Sequence, residues 1–184
     1  MKRLLPLVAC LPSTAFAHGG EFGAHAFITG LAHPLGGLDH LLAMVAVGLW
    51  AAVLRGRAIL ALPASFVVAM ILGGLLGAFS LPLPGVEPMI LVSILILGIL
   101  TGFAFRASLR YTIGIVIIFG IFHGHAHGVE GPANGLVAYA AGFGLATLAL
   151  HILGVLAGQA VSARVLRGLG GATALAGLAL MFGG

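Results

Sequence analysis

The residues of this chain that could do chemistry are few and fall in two groups. His33-Pro34-Leu35-Gly36-Gly37-Leu38-Asp39-His40 opens an apolar run that reaches Leu54, and Phe122-His123-Gly124-His125-Ala126-His127-Gly128-Val129-Glu130 closes another. In the first group His33, Gly36/Gly37, His40 and Met44 recur at helical spacing, with Asp39 about 100° round from His40. Pro34 suits a first helical turn, which would leave His33 at or near the N-cap. In the second group His123 and His127 form an i, i+4 pair, Glu130 extends their stripe if the helix continues, and His125 points the other way. Imidazole and carboxylate without thiolate suit borderline divalent ions such as Ni, Co, Zn or Fe, whereas a soft Cu(I) site would want Cys and several Met. Ligand type alone does not choose among those four.

The surroundings give these groups their weight. Of 184 residues, 61% are hydrophobic and 7% charged. A soluble domain is about a quarter charged, so the composition is that of a membrane protein built from helices. A polar side chain at the centre of a spanning helix costs on the order of 2.5–3.5 kcal/mol, so such groups serve a task. The net charge of +4 does not point to nucleic acid, because the basic residues lie in scattered pairs and form no stripe.

Read in order, the chain begins with a charged Met1-Lys2-Arg3, an apolar Leu4 to Leu11 and an Ala15-Phe16-Ala17 site. This is the pattern of a signal peptide (residues 1–17) cleaved after Ala17. Leu7-Val8-Ala9-Cys10 resembles a lipoprotein box, but the apolar stretch ahead of it is too short. Cys10 is the sole cysteine, so the mature chain is expected to hold no disulfide or thiolate metal site. A Gly- and His-containing lead-in, residues 18–32, precedes six apolar spans at about 35–54, 59–80, 87–105, 110–128, 134–159 and 166–182. The whole of 18–184 is thus one six-helix transmembrane bundle.

Charge sets the orientation. Arg55 and Arg57, Arg106 and Arg110, and Arg164 and Arg167 fall in the first, third and fifth loops, whereas the second and fourth carry only Glu87 and Glu130. The positive-inside rule makes the odd loops cytoplasmic, with the mature N-terminus outside, where signal cleavage would also leave it. Both histidine groups then lie near the outer surface, at a common depth. Glycines at small-xxx-small spacing (Gly73/Gly77, Gly98/Gly102, Gly120/Gly124/Gly128, Gly154/Gly158) call for close helix packing.

The metal ligands expected on these grounds are His33, Asp39, His40, His123 and His127. Further candidates are His18, Met44, His125, Glu130 and His151. His18, at the new N-terminus, could chelate through amine and imidazole together, with Glu21 and His25 nearby as a capture arm. Met44 reads as packing. His151, about 24 Å from the outer face at 1.5 Å per residue, is either a second station or an isolated structural histidine. Glu87 reads as a solvated loop charge or one that complements a helix dipole.

With these residues assembled, the chain resembles the HupE/UreJ family of bacterial nickel (or cobalt) permeases along essentially its whole length. The resemblance rests on His33-Pro34-x-x-Gly37-x-Asp39-His40-x-x-x-Met44-x-x-x-Gly48 and on Phe122-His123-Gly124-x-Ala126-His127-Gly128-x-Glu130. It is also similar to the His/Asp-His signature of the larger nickel–cobalt transporter family. The resemblance implies import of Ni²⁺ by facilitated diffusion across the inner membrane, in support of hydrogenase or urease maturation. Both termini of the mature chain would be periplasmic. It gives His33, Asp39, His40, His123 and His127 metal-handling roles.

The expected protein is therefore a permease, not an enzyme, with no catalytic residues and no cofactor; Ni²⁺ or Co²⁺ is its substrate. Its partners would be a divalent metal ion and the lipid bilayer, with a homo-oligomer left open and nucleic acid excluded. No nucleotide motif is present, so transport would run down a gradient. The rival reading is an intramembrane zinc hydrolase in which three histidines hold Zn²⁺ and Asp39 or Glu130 activates water.

Overall fold

The computed structural model describes residues 17–183, with side chains from residue 23 onward. The expected signal segment, its cleavage after Ala17 and the side chains of His18 and Glu21 lie outside the described residues. The described residues are all-helical: α1 (Ala17–Gly36), α2 (Leu38–Leu54), α3 (Ala58–Ala78), α4 (Val86–Gly102), α5 (Leu109–Glu130), α6 (Leu136–Ala160) and α7 (Ala163–Gly183).

Hydrophobicity on all sides marks a helix that is enclosed by others, and α2 is that helix. From Ala43 to Val53 its residues are buried, apart from the half-buried Val45. It packs against α6, α4, α3, α7 and α1. Met44, Val47, Trp50, Leu62, Phe66, Leu97 and Val116 make the centre of the core. At the far end of α2 from its histidine, Trp50 is fully buried and its Nε1–H donates to the carbonyl of Phe105 at 3.1 Å.

Lipid gives helices no hydrophobic reason to associate, so close backbone contact has to hold them. The glycines provide it. A Cβ at Gly124 would run into the backbone of Met70, and one at Gly128 into that of Gly74, so α3 and α5 meet through bare backbone. Gly48 and Gly154 join α2 to α6 in the same way, and Gly98 and Gly170 join α4 to α7.

Among the described residues four helices, α3, α5, α6 and α7, are long and apolar enough to cross a bilayer. Residues Gly23–Gly36 together with α2 also pass, but as a pair bent by 84°. At 17 residues, α4 rises about 26 Å, just under the roughly 30 Å hydrocarbon core.

This bend corrects the sequence expectation for the start of the first span. Residues 18–32 are helical, and His33 and Pro34 stand in the last turn of α1, not at the head of the following helix. His33 and His40 are therefore on two helices, and no single face carries both. The cause is local. Ala26, Gly30 and Pro34, spaced by four, form a buried stripe of α1, with Gly30 set on the backbone of Tyr139 and Gly142 of α6 on that of Phe27. This contact holds a helix that glycine content alone argues against. The helix then ends at Gly37, whose extended φ of −113° and ψ of 123° turn the chain into α2.

Candidate metal site

Three helix ends meet at one end of the bundle. The last turns of α1 and α5 supply His33 and His123 to Glu130, and the first turn of α2 supplies Asp39 and His40. Helix C-termini carry partial negative charge, so two of the three ends favour a cation. The N-terminus of α2 opposes it, and Asp39 in that first turn offsets the effect.

Ligand atoms of His33, His127 and Glu130 lie within 4.8 Å of one another, close enough to share one ion. His33 Nε2–H donates to Glu130 Oε2 at 3.2 Å, and the same oxygen is 3.7 Å from His127 Nδ1. A metal ion would take over these lone pairs by displacing the proton. Behind the trio, the His40 ring centroid stands 4.4 Å from that of His127 and 5.4 Å from that of His123. The side chains grade inward from Glu130 (56% exposed) through His33 (32%) and His40 (15%) to His127 (4%), and His123 is fully buried.

Hydrogen bonds set the tautomers of the two rings outside the trio. His40 Nδ1–H donates to Asp39 Oδ1 at 2.8 Å, and His123 Nδ1–H to the carbonyl of Phe119 at 2.9 Å. In each the lone pair is then on Nε2, which is buried with no hydrogen-bond partner among the described residues. Metal-ligating histidines characteristically donate their other N–H to a carboxylate or backbone carbonyl. Buried imidazoles that expose only lone pairs to one another are otherwise costly. Gly37 is part of this arrangement: a Cβ there would lie 2.6 Å from Asp39 Oδ1 and 3.1 Å from His40 Nδ1.

The remaining candidates separate. Met44 is fully buried in the core. His125 is turned round α5 from His123 and His127, as its spacing implies, and its Nε2–H donates to the carbonyl of Leu81 at 2.8 Å. His151 is buried on α6, with Phe66 against it. Glu130 is more central than its standing as a further candidate suggested, because α5 continues through it.

Two features escaped sequence reasoning. Glu87 is exposed in the first turn of α4, the helix-dipole position the sequence offered, and what the sequence did not show is that it lines one cavity of about 460 Å³ with Asp39, His40, His125 and Glu130. Tyr139 and Phe143, one turn apart on α6, wall the trio: Phe143 is 4.0 Å from the His127 ring and Tyr139 5.7 Å from that of His33. Their i, i+4 spacing was a usable signal, although in an apolar helix it reads first as core.

Apolar helices around a graded line of histidines, with carboxylates at its open end, define a multi-pass membrane protein bearing the donor set of a divalent-metal site. The chain matches the family described as HupE / UreJ protein over residues 6–180. It is 44% identical to "Protein HupE" of Rhizobium leguminosarum bv. viciae, with 94% of this chain and 93% of that protein covered. The chain belongs to the HupE/UreJ family. No solved structure matches it.

Proposed function

We propose that this protein is an inner-membrane permease that admits Ni²⁺, with Co²⁺ as an alternative substrate, by facilitated diffusion. The observation that carries the reading is the trio of His33, His127 and Glu130, with ligand atoms within 4.8 Å at the open end of a histidine line that leads into the core. The ion exchanges hydration waters for these donors, then meets Nε2 of His40 and of His123. Asp39 orients His40 and offsets the charge. The donor set is moderate in strength, as conduction requires of a site the ion must also leave. Nickel, in preference to the other borderline ions, comes from the family resemblance; the ligands fit all of them.

In this reading the signal peptide is removed after Ala17, α1 and α2 count as one broken span, and α3 to α7 supply five more. The arginine-bearing loops face the cytoplasm, and the mature N-terminus and the C-terminus are periplasmic. Irregular backbone at the Gly37 break is tolerated because it lines a polar cavity. The test is uptake of Ni²⁺, Co²⁺, Zn²⁺ and Fe²⁺ into proteoliposomes by the purified mature protein and by its His40→Ala variant. Nickel-preferring uptake lost in the variant is the expected result. Tight binding without uptake of any ion would overturn the permease reading and leave a sensor or an enzyme.

A further inference from the structure

Beyond the cluster, His151 on α6 is fully buried, and neither ring nitrogen has a hydrogen-bond partner among the described residues. A neutral imidazole has one N–H and one lone pair to satisfy, and each buried polar group left unpaired is destabilising. A residue kept for packing would be less costly as Leu or Phe. A residue kept for an interhelical hydrogen bond would make that bond.

Its position is informative. The ring of Phe66 on α3 touches both His123 (centroids 5.4 Å apart) and His151 (5.1 Å). The unpaired Nε2 of His123 and the unpaired nitrogens of His151 thus flank one aromatic ring. The neighbouring donors are neutral: Thr147, one turn earlier on α6, has its hydroxyl 3.7 Å from Met70 Sδ, and all three described carboxylates, Asp39, Glu87 and Glu130, line the open end. Gly48 of α2 seats on the backbone carbonyl of His151 and fixes α6 at this level.

We propose that His151 is an inner metal station, which receives a borderline divalent ion from His123 when the Phe66 ring moves aside. The proposal rests on the permease reading and extends it inward. A single neutral imidazole holds a divalent ion less tightly than two histidines and a carboxylate. That order of affinities lets an ion move on.

The test titrates the full mature protein with Co²⁺ alone, followed by visible absorption and equilibrium dialysis, in wild type, His151→Leu and His151→Cys. Wild type should bind a second, weaker Co²⁺. His151→Leu should keep the first ion, lose the second and take up metal at least about tenfold more slowly. His151→Cys should restore the second ion with a sulfur-to-cobalt charge-transfer band, which a structural role would not produce. Absence of a second ion in wild type, its persistence in His151→Leu, or normal uptake by that variant would overturn the station. If His151→Leu fails to fold, the charge-transfer band of His151→Cys decides alone. A wild type that binds two ions and moves none would defeat the permease reading while leaving the ligation by His151 standing.

Discussion

The two ends of the bundle are chemical opposites. Asp39, Glu87 and Glu130 gather at one, with His33, His40 and His127 among them. At the other, Arg55, Arg106 and Arg167 surround a cavity of about 370 Å³ with no carboxylate in its lining. A divalent cation is drawn to the first end and repelled from the second. Generic membrane topology accounts for arginines in the alternate loops, but it gives no reason for imidazoles and carboxylates to share three helix ends. The arginine end is what any multi-pass bundle would show; the histidine end is specialised.

The contrast can be broken most sharply at the trio. His127→Ala and Glu130→Gln each remove one of three converging donors, and each should lower metal uptake by about a hundredfold, read as initial rates in proteoliposomes. Gly37→Ala should act through space. Its Cβ would push Asp39 Oδ1 away from His40, so metal affinity measured by calorimetry should fall about tenfold, with little change in stability because only a side-chain end must shift. Acidification tests the same end by competition: ligating imidazoles must be neutral, so protons displace metal as pH falls. Uptake should decline several-fold from about pH 7.5 to about pH 5.5, and a flat profile would contradict histidine ligation. The smallest effect belongs to the opposite end. Arg106→Gln combined with Arg167→Gln should leave affinity for the first ion within about twofold, because screening over about 10 Å isolates the two ends.

How much of this was legible in the sequence follows from what each feature depends on. The helical class and the order of α3 to α7 depend on composition and periodicity, which a single sequence displays. The grouping of His123, His127 and Glu130 depends only on helical spacing within α5, and was equally open. The bend between α1 and α2 depends on how Ala26, Gly30 and Pro34 fit the surface of α6, and that is a tertiary fact. Glu87 is legible as a charge at a helix start, but its place beside Asp39 and Glu130 is not, because they are 48 and 43 residues distant in the chain. Convergence of this kind has no periodicity to betray it.

The chain contains a single tryptophan, and Trp50 is sealed beside the Phe105 carbonyl at the arginine end. It stands ten residues from His40 along α2, about 15 Å at the helical rise. The protein thus contains its own optical reporter, placed away from the donors and on the same rigid rod. Fluorescence that stays constant as the first ion binds, then quenches as ions pass inward, would time the passage without any attached dye.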